Sequence, residues 1–221
     1  IYGSRASNGV IIITTKKGKS GKPKFNFSTQ NSISTLPKEA DVLSPAEFRN
    51  YINTHGTPAQ VAIMGNASTD WQKEIYDNSF TTDNNLSVTG TYKFLPYRVS
   101  LGYLNQDGIL KTGNLQRTSA SITLSPKLLD DHLKIDLNLK GSLSHSRFAD
   151  EGAIGTAVRF DPTQPVFSGN KRFGGYFEWL DPSSTTGLRD LAPLNPVGLL
   201  EQKEDKSDVQ RSIGNIQFDY K

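Results

Sequence analysis

Three histidines are the side chains that could most readily hold a metal ion, and they are widely separated. His55, His132 and His145 share no short spacing, and the chain contains no cysteine. A zinc site needs three or four such ligands brought together, and helical sites of the HExxH kind place two histidines four residues apart. The sequence therefore predicts no metal site, and solvated positions suit these side chains.

Other residues whose types could take part in binding or catalysis are better explained as turn formers. The segment Gly18-Lys19-Ser20-Gly21-Lys22 has the residue types of a phosphate-binding loop, but its glycine spacing is wrong and Pro23 precedes a strand instead of a helix. Asp107-Gly108 and Asp130-Asp131 offer carboxylates, yet neither recurs in a ligand array. No GxSxG or Cys/His nucleophile arrangement occurs. We predict neither an enzyme nor a cofactor.

The charge and apolar patterns exclude nucleic acid as a partner and a membrane-spanning helix. The 25 basic and 22 acidic side chains are interspersed and leave a net charge of +3. No concentrated positive field exists to hold nucleic acid, so we predict no nucleic-acid partner. The longest aliphatic run, residues 10–13, is far shorter than the roughly 20 apolar residues of a membrane helix.

Alternation of apolar and polar residues predicts about six strands. It is clearest at residues 84–94 and 132–146, and weaker at 24–34, 97–104, 117–125 and 212–221. Several of these stretches reach the 9 to 11 residues or so that a tilted strand needs to cross a bilayer. The fold class is therefore all-β, and a transmembrane barrel is possible.

The connections between these strands alternate in length. Long ones at about 35–83 and 147–207 alternate with a tight turn at Leu95-Pro96 and a short connection at 126–131, with a medium loop at 105–114. Outer-membrane barrels combine short periplasmic turns with long extracellular loops in this way. Capping boxes at residues 44–47 and 69–72 predict two short helices inside the first long loop.

Aromatic residues gather at the short-turn end of the predicted strands. An aromatic girdle at a membrane interface would account for this, because ring bodies sit in lipid while their polar edges reach the headgroups. The predicted girdle consists of Phe25, Phe27, Tyr92, Phe94, Tyr97, Phe218 and Tyr220.

The first eighteen residues, IYGSRASNGVIIITTKKG, resemble the closing motif of the plug domain in SusC/RagA-type TonB-linked outer-membrane transporters. Residues 69–72, 85–88, 102–108 and 195–197 resemble further landmarks of the early barrel in that family. The motif residues are Tyr2, Gly3, Ser4, Arg5, Ala6, Ser7, Asn8 and Gly9. Turn formation is the role we expect for Arg5 and Asn8.

The resemblance implies a division of the chain into three parts. Residues 1–18 would end the plug, 19–23 would be a linker, and 24–221 would form the start of a transmembrane antiparallel β-barrel. Barrels of plugged transporters have about 22 strands, and six strands cannot close. We therefore expect the sequence to be truncated at both ends, which also accounts for the lack of a secretory signal at its start.

The resemblance also implies a function. Members of the family import oligosaccharides or peptides through the outer membrane of Gram-negative bacteria, with a SusD-like surface lipoprotein as a lid and energy from the TonB complex. TonB would act through a segment that lies before Ile1. Ligand contacts in the loops could come from Trp71, Tyr176, Trp179 and Asp181, with loop packing or lipoprotein docking as the alternative role.

Two other classes of protein remain compatible with the pattern. A soluble or surface-exposed β-sandwich that binds carbohydrate would also combine alternating strands with aromatic loops. A secreted glycan hydrolase would require two carboxylates that face each other across a cleft at roughly 5 to 9.5 Å.

Overall fold

The computed structural model describes Lys16, Gly18 and residues 21–221. The motif Tyr2 to Gly9 lies outside the described residues, so its predicted role stays a prediction. No helix in the described part of the chain is both long and apolar enough to cross a membrane.

Six long strands and one short strand form an antiparallel sheet. They are β1 (Lys24–Ser34), β2 (Ser79–Tyr92), β3 (Leu95–Asp107), β4 (Asn114–Leu124), β5 (Lys127–Leu128), β6 (Leu133–Phe148) and β7 (Asp205–Tyr220). Each long strand pairs with the next in the order β1-β2-β3-β4-β6-β7, and β5 pairs with the start of β6. At 11 to 16 residues the long strands exceed the five or six usual in soluble sheets.

The sheet is inside out compared with one in a soluble protein: its apolar face is exposed, and polar side chains are buried on the other face. Register places Phe25, Val88, Val99, Ile122 and Leu139 in one row across five strands, because each is the partner of the next. This apolar face is open: Phe25 is 76% exposed. The opposite face is mostly polar, with a few apolar side chains such as Ile213.

Polar side chains are instead buried on that opposite face. Ser87 is 7% exposed and Asp136 only 4%, and Asp136 forms an ion pair of 2.8 Å with Lys134. Among the described residues there is one sheet only, so no second sheet packs on the apolar face as a β-sandwich would require.

Two tight connections lie at one end of the sheet. The β2–β3 turn consists of Lys93 and Phe94, and Lys93 has a left-handed φ of 55°. The predicted turn at Leu95-Pro96 is therefore wrong by two residues: both belong to β3, where Pro96 pairs with Thr91 at the strand start, a position that tolerates proline. The second connection spans residues 125–132.

Of the seven residues of the predicted girdle, all but Phe27 lie near that end; Phe27 pairs with Leu86 in the middle of β2. Six are exposed, and Tyr97 is half-buried. Register aligns Phe218 with Ile135 and Tyr220 with Leu133, close to the 125–132 connection. Their contact with a membrane interface stays a prediction.

Five helices lie in the two long connections. The first connection holds α1 (Pro45–His55), α2 (Pro58–Ala62) and α3 (Trp71–Ile75), and the second holds α4 (Gly152–Arg159), a 3₁₀ turn (Lys171–Phe173) and α5 (Pro196–Gln202). The capping box predicted for α1 is confirmed, because Ser44 and Glu47 bond each other's backbone N–H groups.

The cap predicted for α3 is wrong by one residue. Asp70, not Thr69, caps this helix by accepting a bond from Lys73 N at 3.3 Å. Thr69 is otherwise engaged, because its hydroxyl donates to the carbonyl of Gln164 at 2.6 Å. A contact between residues so far apart in sequence overrides the local capping pattern.

Candidate functional site

The two long connections pack on each other and form a small folded unit at the end of the sheet opposite the tight turns. We call residues 35–78 and 149–204 the loop domain. Its apolar core joins α3, α4 and α5 through Trp71, Ile75, Ala157, Phe160 and Leu200, all buried. The rings of Trp71 and Phe160 meet edge to face with centroids 4.6 Å apart.

Polar contacts between the two connections fix their relative position. Gly65 N donates to the Thr163 hydroxyl at 2.9 Å, and the amide of Gln164 donates to the carbonyl of Ile63 at 2.9 Å. The indole N–H of Trp71 donates to the carbonyl of Asp161 at 3.0 Å. Buried donors and acceptors are thus paired across the interface, which favours one arrangement of the loops.

Asn195 organises the second connection. The side chain is fully buried, and its amide donates to the carbonyls of Val166 and Phe177 at 2.9 and 3.1 Å. Its carbonyl oxygen accepts from Val197 N and Gly198 N, both at 3.0 Å, which caps α5. All four hydrogen-bonding positions of the side chain are therefore used.

A carboxylate supports this junction from outside. Both oxygens of Glu178 accept from the backbone N–H of Asn195, at 3.1 and 3.2 Å. Burial raises the pKa of Glu178, and the hydrogen bond from Asn195 opposes that shift.

The structure places the four candidate ligand contacts in the loop domain but in different environments. Trp71 is 3% exposed, with its N–H paired and its ring in the core, and this favours the packing role. Tyr176 is half-buried and packs on Phe167 with ring centroids 5.0 Å apart.

Trp179 and Asp181 follow in one irregular segment. Trp179 packs edge to face on Phe177 at 5.3 Å and is half-buried, so part of its ring remains accessible. Asp181 closes a turn, because its carboxylate accepts from the hydroxyl and the N–H of Ser183 at 2.6 and 2.9 Å. These bonds, together with the charge of Arg189, lower the pKa of Asp181.

Clefts of the described part of the chain border both the loop domain and the sheet. One of about 640 Å³ lies between residues 38–48 and helices α3 and α4, and one of about 210 Å³ lies beside Trp179. Reciprocal bonds of 2.8 Å between the Gln72 amide and the backbone of Ala40 hold the wall of the larger cleft.

A third cleft, of about 610 Å³, lies on the polar face of the sheet. Arg117, Lys140 and Arg211 line it together with Ser142 and Ser144. The sequence predicts strands at 117–125 and 132–146, which contain Arg117 and Lys140, whereas Arg211 lies just before the strand predicted at 212–221. The register that brings them together across β4, β6 and β7 is a long-range property.

The histidines lie far apart in the fold as they do in the sequence. The ring of His55 stacks on Tyr51, His132 Nδ1 lies 3.0 Å from Lys221 O, and His145 Nδ1 lies 2.7 Å from Asp208 Oδ1. In the described ranges no three His, Cys, Asp or Glu side chains are grouped so that they could hold a metal.

The chain shares sequence with TonB-dependent receptors. No family model matches the chain. It is 45% identical over its whole length to the TonB-dependent receptor SusC of Bacteroides thetaiotaomicron, of which it covers 23%. It is 32% identical, over 76% of its length, to the TonB-dependent receptor P3 of Formosa agariphila, of which it covers 17%.

Solved structures show the same fold. A chain of the RagAB peptide importer in the closed-closed state matches 68% of this chain with a TM-score of 0.56 at 23% identity, and the open-open state matches with a TM-score of 0.57. The matched region is about a fifth of each of those chains.

The chain is a relative of TonB-dependent receptors, and its sheet is a partial antiparallel barrel wall of the kind found in those structures. Within that class it is SusC/RagA-like, so the resemblance seen in the sequence is confirmed. The chain spans less than a quarter of the length of these curated relatives.

Proposed function

We propose that the chain forms part of a receptor that imports oligosaccharides or peptides across the outer membrane of a Gram-negative bacterium. The inside-out sheet carries this proposal. Phe218 and Leu101 are 61% and 54% exposed on one face, while polar groups are partly buried on the other. In water such a surface is costly, whereas in a bilayer it is the stable arrangement.

The proposed division places the end of the plug at residues 1–18, a linker at 19–23 and the barrel at 24–221. Two observations support it. Gly21 is hydrogen-bonded to Thr91 at the tight-turn end of β2, and β1 begins at Lys24. A side chain at Gly18 would lie 2.6 Å from Tyr97 N, so the last residue of the proposed plug, just before the linker, lies close to the start of β3.

We further propose that the receptor works with a SusD-like surface lipoprotein and the TonB complex. The names of the relatives support TonB dependence, and the likeness to the RagAB peptide importer supports a peptide as one class of cargo. The aromatic girdle would set the depth of the tight turns at one interface, and the loop domain would then face the outside of the cell.

Energy-coupled uptake tests this proposal. A strain that lacks the receptor gene is complemented with wild type, Leu101→Asp or Ser100→Asp, and uptake of fluorescent oligosaccharides and peptides is measured with and without a protonophore. Leu101 faces the proposed lipid side and Ser100 the lumen.

We expect the protonophore to abolish uptake by the wild-type receptor. Leu101→Asp should reduce both uptake and the amount of receptor in the outer membrane, whereas Ser100→Asp should largely keep uptake. Uptake that persists without an energised inner membrane would refute the import mechanism.

A further inference from the structure

The cleft beside Trp179 combines an aromatic ring with two arginines. It measures about 210 Å³, and both parts of the loop domain contribute to it, with Ile63 from the first connection and the other lining residues from the second. Arg159 and Arg189 stand at its edge, and the Arg189 guanidinium lies 6.0 Å from the centre of the Trp179 ring. The cleft therefore offers a flat apolar surface with cationic groups next to it.

The geometry of these groups is fixed by the backbone. Arg189 N donates to the Trp179 carbonyl at 2.8 Å, and a bridge between Leu180 and Leu188 closes the same short ladder. Arg159 ends helix α4, where its Nε donates to the carbonyl of Gly155 at 3.0 Å. This bond leaves the terminal amino groups of Arg159 available to a ligand.

Neither arginine of the cleft forms a close ion pair, although Arg189 lies near enough to Asp181 for its charge to lower the pKa of that carboxyl. Asp161 also lines the cleft and adds one negative charge to it; its oxygens accept from Thr163 N and Oγ1 at 2.8 and 2.7 Å and from the Gln164 amide at 3.3 Å. Across the described residues no Asp or Glu oxygen lies within 4.0 Å of either guanidinium in an ion pair.

We propose that this cleft binds a carboxylate-bearing ligand, with the carboxylate between Arg159 and Arg189 and the adjoining apolar part on the face of Trp179. Arginine forks match a carboxylate in two parallel hydrogen bonds, and an indole face packs on C–H groups. The carboxylate can belong to a uronic acid sugar or to the C-terminus of a peptide. The inference rests on the proposed import function, because it assigns a class of cargo to the loop domain.

Calorimetric titration of the purified intact receptor tests the site. The sugar arm compares trigalacturonate with neutral galactotriose, and the peptide arm compares trialanine with its C-terminal amide. We expect binding of at least one acidic probe, and weakening of about ten-fold in each of Arg159→Gln and Arg189→Gln, the loss expected when a charged hydrogen bond is removed. Trp179→Leu should also weaken binding, and the probe that binds identifies the source of the carboxylate.

Arg172→Gln is the matched control, because Arg172 lies on the same connection but bonds the carbonyl of Thr186 instead of lining the cleft. Arg189→Lys keeps the charge without the fork and should recover part of the affinity. Absence of binding by both acidic probes, equal binding of the neutral probes, or equal effects of Arg172→Gln and Arg189→Gln would overturn the proposal. Energy-coupled uptake without such binding would overturn this site alone, whereas binding without uptake would overturn the import function alone.

Discussion

Replacement of Asn195 should release the second long connection from its folded form. In Asn195→Ala the carbonyls of Val166 and Phe177 lose their donor inside the loop domain, and Val197 N and Gly198 N lose their cap. A lost N-cap costs about 1 kcal/mol and each of the two unpaired buried carbonyls about 1 to 3 kcal/mol, so we expect roughly 3 to 7 kcal/mol of local destabilisation.

Amide hydrogen exchange followed by mass spectrometry measures this change in the intact receptor. If the free energy of local opening is about 3 kcal/mol lower in the variant than in the wild type, exchange should be at least about 100-fold faster in the peptide that contains Val197 and Gly198. Asn195→Asp should be as damaging, because it keeps the cap but turns an oxygen toward two carbonyls. Asn170→Ala is the control, since Asn170 caps an exposed 3₁₀ turn through one bond of 3.1 Å to Arg172 N.

If Asn195→Ala exchanged in this peptide no faster than Asn170→Ala, the side chain would not hold the connection together. Unchanged exchange in Asn195→Asp would show that the two donated bonds contribute nothing.

Three further predictions concern the loop domain. Gly65→Ala should loosen the contact between the two connections, because the new methyl group would meet the Gln164 amide oxygen at 2.8 Å and the backbone of Thr163. Gly155→Ala, where nothing lies within 4 Å, should be neutral or stabilising. Limited proteolysis measures the difference, and equal cleavage of both variants would contradict this prediction. Trp71→Phe keeps an aromatic ring but loses a bond of 3.0 Å, so the loop domain should lose about 1 to 2 kcal/mol of stability in exchange measurements, and wild-type protection would contradict the assignment. Burial raises the pKa of Glu178, so between its pKa in the unfolded chain and its pKa in the folded chain the folded state binds more protons. Stability of the loop domain should therefore fall as the pH rises through that window. Glu178→Gln should remove this dependence, and an unchanged pH profile of loop protection in that variant would count against the prediction.

The strands could be predicted from sequence because each is two-faced. Strand β1 begins and ends where alternation placed it, and β6 differs from its prediction by one or two residues. The polar first part of β7, from Asp205 onward, shows no alternation of apolar residues, and only pairing with β6 makes it a strand. Local periodicity cannot report such a partner.

The candidate site was less accessible to sequence reasoning. Aromatic richness indicated that the last connection packs on something, but not that Trp71 would meet Phe160 from the other connection. Strands β2 to β6 lie between the two residues along the chain, and contacts of this kind depend on strand register. Arg159 and Arg189 gave no signal, because single arginines in loops are common and only the fold places both beside Trp179.

Accessibility of neighbouring positions on β6 tests the central claim most directly. The chain has no cysteine, so a nitroxide label can be attached singly at Leu139→Cys on the apolar face or at Lys140→Cys on the polar face, once any cysteine elsewhere in the receptor is replaced. In lipid vesicles we expect the label at 139 to be relaxed mainly by oxygen, which dissolves in bilayers, and the label at 140 mainly by a water-soluble nickel complex. A label at 139 that is reached by the nickel complex, or shielded from both reagents, would contradict a lipid-facing apolar side and with it the assignment to an outer-membrane receptor.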